Sequence, residues 1–201
     1  MIDLTEQLVL VRHGETEWSR ELRHTGWTDI HLSPEGVAAA EKLKGALSVW
    51  QFAAVYSSPL LRATQTAQLA GFPNPSADPD LREWNYGAYE GMTAQEIDEK
   101  SPDWELWSDG VPEGESVAEV GARARRFLAR VGDGPFPILV FAHGHLLRIL
   151  SAVWTGAEPD FGRHLHLSTA SVSVLGHRRE GNMIIRWNDT SHTGVEHSPP
   201  S

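Results

Sequence analysis

The sequence predicts an α/β fold in three layers, with a mostly parallel central sheet between two layers of helices. Two continuous apolar runs, Leu8 to Val11 and Ile138 to Phe141, have the character of strands covered on both faces, and each leads into a histidine, His13 or His143. Strand-like runs alternate with helix-start signals along the chain, the pattern of α/β proteins. If the two runs are neighbouring parallel strands, their carboxyl ends lie about 5 Å apart. That rim is where open α/β folds place their ligands.

The elements follow in order. After the first strand, Ser33-Pro34-Glu35 opens a helix with serine as N-cap, proline in the first turn and an acid near the positive end of the dipole. Its apolar positions Val37, Ala40, Leu43 and Leu47 recur at helical spacing. Ala53 to Tyr56 reads as a second strand, and Ser58-Pro59 repeats the helix-start signal ahead of Leu61 to Ala70. The proline-rich stretch Gly71 to Asp80 reads as a loop. Leu81 to Gly114 is mostly irregular, aromatic and acidic, with one short helix behind the capping box of Thr93 and Glu96. A second capping box, Ser116 with Glu119, opens a helix to about Val131, and the strand Ile138 to Phe141 leads to a helix from Leu146 to Trp154. Ser171 to Leu175 and Met183 to Trp187 read as antiparallel edge strands joined by a polar turn containing Gly181. Residues 1–191 form a single domain without repeat or linker, and 192–201, with little to bury, is expected to be a disordered tail.

Composition narrows the function. A chain of 201 residues with 40% apolar content has single-domain size. Its net charge of -10 repels nucleic acid and anionic membrane, so an anionic substrate must be drawn in by a local cationic pocket. The lack of cysteine excludes disulfides, thiolate metal ligands and a cysteine nucleophile. No apolar stretch approaches the ~18 residues that span a bilayer. Met1 to Leu8 is acidic and lacks the basic region of a signal peptide, so a cytoplasmic location is expected.

The chemistry concentrates at the strand ends. Arg12-His13-Gly14-Glu15-Thr16 places a cation and an imidazole directly after an apolar run, a pair that is costly to bury unless it is used. Arg62 falls in the first turn of its helix, where backbone N–H groups and the dipole also favour an anion. Glu83 lies in a loop between apolar and aromatic residues, and His143 precedes Gly144. Singly, Arg62 reads as a solvated helix arginine and Glu83 as an exposed loop acid, while His143 suits a satisfied core histidine and a ligand-facing one equally. Two histidines and an arginine facing one crevice, however, suit a phosphoryl group.

Five pieces in order carry a resemblance that extends from Leu8 to about Trp187: Leu10-Val11-Arg12-His13-Gly14-Glu15-Thr16, Thr25-Gly26-Trp27-Thr28-Asp29 with Leu32-Ser33, Ser57-Ser58-Pro59-Leu60-Leu61-Arg62-Ala63-Thr64-Gln65-Thr66, Leu81-Arg82-Glu83-Trp84, and Phe141-Ala142-His143-Gly144. The set resembles the histidine phosphatase superfamily, in the branch that includes cofactor-dependent phosphoglycerate mutases. The tracts Arg82 to Met92 and Phe141 to His145 with Arg148 are most similar to sugar-bisphosphate and broad-range acid phosphatases. The resemblance implies a phosphoglycerate mutase-like fold and a phosphatase acting on small phosphorylated metabolites. It makes His13 the nucleophile, has Arg12, Arg62 and His143 bind the phosphoryl oxygens, and has Glu83 give and then retrieve the proton. Ser19, Thr25, Gly26 and Gly144 stand at its substrate-binding positions.

Physical chemistry supports that division of labour. A nucleophilic imidazole must be neutral, with its other N–H held by an acceptor. Positive groups around the phosphoryl oxygens supply most of the catalysis by positioning and electrostatics. No cofactor is expected. Among ten histidines, His143 with His145 and His164 with His166 invite a metal reading, but the acidic companions of a metal centre are missing from both tracts, so no metal is expected. His24 and His31 near the mouth read as solvated loop residues. The alternatives are a phosphoglycerate mutase and a non-catalytic phospho-ligand binding module. The mutase would need basic residues between the acid and the second histidine, and Trp84 to Ala122 contains only Lys100. The partner expected is a small metabolite, with a homodimer as the possible assembly.

Overall fold

The continuous apolar character of the two runs has its cause in the sheet they share. In the computed structural model, which describes residues 6–132 and 134–194, β1 (Gln7–Arg12) and β4 (Ile138–Ala142) are parallel neighbours in register from Leu8 opposite Ile138 to Arg12 opposite Ala142. With β2 (Ala54–Ser57), β3 (Ser76–Ala77), β5 (Val172–Arg178) and β6 (Gly181–Asp189), they form one sheet in the order β3-β2-β4-β1-β5-β6. β3, β2, β4 and β1 run parallel, while β5 pairs antiparallel with both β1 and β6.

Alternate side chains of a strand point to opposite faces, and here each face has its own core. Leu8, Leu10, Ile138, Val140 and Ala142 pack with α6 (Val117–Gly132) and α7 (Gly144–Trp154), through Phe127, Leu146 and Leu150. Val9, Val11, Leu139 and Phe141 pack with α2 (Pro34–Leu47) and α3 (Leu61–Leu69), through Ala40, Leu43 and Ala67. Three layers follow from that alternation. β4 lies between β1 and β2, so the two strand ends that carry histidines become neighbours.

Several sequence expectations are corrected. Only β6 is an edge strand at its side of the sheet, because β5 pairs with β1 as well as β6. The Gly71 to Asp80 loop contains β3 and the start of a 3-10 turn, Pro79–Leu81. The segment after Leu81 holds a second short helix, α5 (Leu106–Asp109), besides α4 (Ala94–Lys100). A short helix α1 (Glu17–Arg20) is capped by Thr16 and Ser19. Ser58 is not the N-cap of α3, which starts behind Leu60 without a side-chain cap. α7 begins at Gly144, two residues before the expected start. The expected tail begins too early: His192 and Thr193 belong to a 3-10 turn, Ser191–Thr193, whose Thr193 carbonyl accepts from Lys42 of α2 at 2.7 Å. The rest of that tail lies outside the described residues. Among the described residues, no helix is long and apolar enough to cross a membrane.

Candidate active site

The His13 N–H donates to the Ala142 carbonyl at 3.0 Å, so the residue after β1 is tied to the last residue of β4. His13 and His143 consequently meet, with ring centroids 5.1 Å apart. The buried His13 ring bonds from Nδ1 to the Gly14 carbonyl at 2.7 Å. A carbonyl can only accept, so the proton sits on Nδ1 and Nε2 keeps its lone pair. Burial, reinforced by Arg62 and Arg12, pushes the His13 pKa well below the ordinary 6.5. The ring is therefore held in the neutral form a nucleophile requires.

Arg62 is buried from the second position of α3, and its Nε donates to His13 Nε2 at 3.3 Å. Its terminal nitrogens bond the carbonyls of Thr28 at 3.1 Å, Thr25 at 3.1 Å and Gly26 at 2.7 Å, so the 25–28 loop wraps the guanidinium. Arg12 donates from one terminal nitrogen to the Leu167 carbonyl at 2.6 Å. His143 meets the Ser58 hydroxyl through Nε2 at 2.7 Å, which explains why that serine does not cap α3. Burial, then Arg62 and His13, push the His143 pKa well below the ordinary value. Arg12 Nε and His143 Nδ1 are buried donor or acceptor atoms without a protein partner. Such atoms are costly unless a ligand uses them.

Glu83 comes from the loop after the 3-10 turn, with both oxygens held. Oε1 accepts from the N–H groups of Trp84 and Leu146, each at 2.9 Å, and Oε2 accepts from the N–H of His145 at 3.0 Å. Gly144 separates it from Arg12. A Cβ there would lie 3.4 Å from Arg12 Nε and 3.6 Å from Glu83 Oε2.

These groups surround a cavity of about 200 Å³. Of the residues singled out in the sequence, Arg12, His13, Glu83, Ser19, Thr25 and Gly144 line it. Arg62 and His143 stand directly behind His13. Gly26 does not line it: its N–H donates to Glu90 at 2.8 Å and its carbonyl serves Arg62. A side chain there would collide with the Trp84 carbonyl, 2.7 Å from a Cβ, so Gly26 is needed for close loop packing.

The far side of the cavity carries groups the sequence reading passed over or left open: Leu22, Arg23, His24, Tyr86, His145 and Arg148. The Tyr86 hydroxyl lies 2.6 Å from His145 Nδ1. Burial, then Glu83, push the Tyr86 phenol well above 10, and burial, then Arg148, push His145 well below 6.5. Arg148 bonds the carbonyls of Gly162 and Arg163 and stacks on Trp107. It had a legible signal, since it stands four residues after Gly144 and shares its helix face. Arg23 and His24 had none, because they are placed by contacts with Gly91 and Met92 far along the chain. The search for cations between Trp84 and Ala122 was therefore too narrow.

His31 lies elsewhere, against Gln65. Among the described residues, no three histidine, aspartate or glutamate side chains are gathered as a metal cage.

Comparison with known proteins places these features in context. A family model described as the histidine phosphatase superfamily, branch 1, matches residues 8–190. The chain is similar to an acid phosphatase of Mycobacterium tuberculosis, 38% identical over 175 residues that cover 85% of this chain and 86% of that protein. It is also similar to sedoheptulose 1,7-bisphosphatase of Saccharomyces cerevisiae, 37% identical over 191 residues, 78% of this chain and 70% of that one. The solved structure of the Rv3214 reading-frame product of Mycobacterium tuberculosis superimposes with a TM-score of 0.86 at 34% identity, covering 91% of this chain and 97% of that one.

Proposed function

The chain belongs to branch 1 of the histidine phosphatase superfamily, and from that membership we propose that it hydrolyses phosphate monoesters of small metabolites through a phosphohistidine on His13. The observation that carries this reading is the His13 ring. Its Nδ1–H is held by Gly14, and its unprotonated Nε2, which accepts from Arg62 Nε, stands at a cavity that also holds Arg12 and Glu83.

In the first step the Nε2 lone pair attacks phosphorus and the bond to the leaving oxygen breaks, while that oxygen takes a proton from Glu83. Oε1 already accepts two N–H bonds and Oε2 one, so Oε2 is the oxygen with room for the proton. In the second step water attacks phosphorus, Glu83 takes its proton, and the bond to His13 breaks to release phosphate. Arg12 and Arg62 offset the charge on the phosphoryl oxygens throughout, and neutral His143 can donate a hydrogen bond to them from Nδ1, its unpartnered nitrogen. The cavity, about 200 Å³, is below the roughly 300–1,000 Å³ of drug-sized ligand sites, which favours a short leaving group. The same reading takes the partner to be a phosphorylated metabolite in the cytoplasm, not nucleic acid or membrane, with the enzyme a monomer or homodimer.

The test is phosphate release over a panel of phosphorylated metabolites, after chelator treatment, with interconversion of 3- and 2-phosphoglycerate measured in parallel. Phosphate release without metal is expected to exceed interconversion many times over. Interconversion outrunning release from every ester would make the protein a mutase. Activity that is lost with chelator and restored by a divalent metal would remove the metal-free mechanism.

A further inference from the structure

Glu83 sits on a loop between two 3-10 turns, Pro79–Leu81 and Gly87–Tyr89, where no helix or strand ladder fixes its main chain. A buried arginine from α6 does so instead. Arg123 is 5% exposed. One of its terminal nitrogens bonds the carbonyls of Asp80 and Arg82, and the other bonds the carbonyl of Glu83 at 3.0 Å. Its remaining donors close a two-point pair with the Glu115 carboxylate, at 2.8 Å from Nε and 3.0 Å from the second terminal nitrogen.

Glu115 continues the scaffold. Its carboxylate accepts from the Asn85 N–H at 2.9 Å, its carbonyl accepts from the Trp84 indole at 2.7 Å, and its own N–H donates to the Asn85 carbonyl at 3.0 Å. From the other side the Trp27 indole donates to the Glu83 carbonyl at 2.9 Å. Arg123 is absent from the cavity lining; it bonds the Glu83 carbonyl, and otherwise acts on the site as a charge that helps lower the His143 pKa, which a lysine would retain.

Burying an ion pair contributes little net stability, since desolvation offsets the attraction, and apolar residues of similar volume often serve as well. What apolar residues cannot do is hold three carbonyl oxygens at once. A lysine offers three donors without the planar fork, against the five bonds that Arg123 makes to three carbonyls and the Glu115 carboxylate. We propose that Arg123, oriented by Glu115, is a positioning residue for Glu83, setting where its carboxyl stands relative to the leaving oxygen. The proposal rests on Glu83 being the proton donor.

The experiment compares Arg123→Lys, Trp27→Phe and Glu83→Gln on an alkyl phosphate and on p-nitrophenyl phosphate, whose leaving group scarcely needs protonation. It reads single-turnover release of the alcohol or the phenol, because the later hydrolysis of the phosphohistidine uses Glu83 whichever ester supplied it. A misplacement near 1 Å lowers rate about 100-fold. Arg123→Lys is therefore expected to lower that single-turnover rate on the alkyl ester by roughly 10- to 100-fold, with p-nitrophenol release and the half-saturating concentration of both esters nearly unchanged. Trp27→Phe removes one N–H from the same carbonyl on a ring that is 43% exposed. It should show the same selectivity more weakly, and it decides the matter if Arg123→Lys does not fold. Glu83→Gln separates the two ways of failing. If it depresses both substrates equally, the proton-donor reading falls and takes this proposal with it. If it is selective while neither other folded variant is, the positioning role alone is overturned.

Discussion

In the proposed mechanism His13 serves as nucleophile because of one neighbour, the Gly14 carbonyl that holds Nδ1–H and leaves Nε2 unprotonated. Replacing it with alanine should abolish turnover and the acid-labile, base-stable phosphate expected on the wild-type protein in quenched reactions. Turnover near the wild-type rate would reassign the nucleophile. Gly144 makes a subtler test. A methyl there is tolerated sterically, yet it projects between Arg12 and Glu83, where the reacting phosphoryl group is placed by the proposed mechanism. Gly144→Ala should keep or slightly raise Tm, since alanine favours the helix by up to about 1 kcal/mol, while kcat/KM falls at least roughly tenfold. Full activity in that variant would move the phosphoryl site elsewhere. The residue types at this centre were legible in the sequence because each follows a local signal: a strand end, a helix start, an acid beside tryptophan. The roles of Ser58 and Gly26 were not, because their partners lie 85 residues away at His143 and 64 residues away at Glu90.

At the scale of elements, α7 begins at Gly144 behind His143, whose side chain makes no cap. Its second and third N–H groups are taken by the Glu83 carboxylate instead. The proposed proton donor is thus also the helix cap, its oxygens accepting the N–H groups at the first turn of α7. Glu83→Ala should therefore cost stability as well as activity, about 1–2 kcal/mol by analogy with lost N-caps. For a chain of this size that lowers Tm by roughly 2–8 °C. Thermal unfolding of Glu83→Ala against Glu83→Gln, which keeps one acceptor oxygen, reads the effect. Equal Tm for wild type and both variants would show that the cap carries no weight. The caps at Ser33, Thr93 and Ser116 were readable because each bonds within three residues. The cap on α7 comes from across the fold.

At the scale of the molecule, three histidines around the cavity share one direction, His13 and His143 buried and His145 half-buried. Burial first, and neighbouring cations second, push His13, His143 and His145 well below 6.5. In the unfolded chain they protonate near pH 6.5. Between that value and their lower folded values the unfolded state binds more protons, so stability drops as pH falls below about 6.5 and is fully present above it. The slope approaches about 1.4 kcal/mol per pH unit for each histidine. Tm measured from about pH 7 to about pH 5 should fall, and inorganic phosphate, which the proposed site binds only when folded, should offset the fall. A flat profile would mean that these rings ionise at ordinary values. Turnover should persist below pH 6.5 for the same reason, because His13 stays neutral there.

The layers were legible along the chain. Continuous apolar runs demand a sheet covered on both faces, and the charged pair Arg12 and His13 at the end of one demands a use, so the α/β/α architecture and that pair were readable from spacing and residue type, while Arg62, Glu83 and His143 joined the set through the family resemblance. Tertiary structure decided everything that depends on partners distant in sequence. It made β5 an interior strand by pairing it with β1, and gave Ser58 to His143. It brought Arg23, His24 and Arg148 to the cavity, and set Glu83 between Arg123 below and the start of α7 above. A pattern along the chain records which face an element buries. It does not record which hydrogen-bonding group from another element meets that face, because directional bonds of about 3 Å are settled only when the layers close.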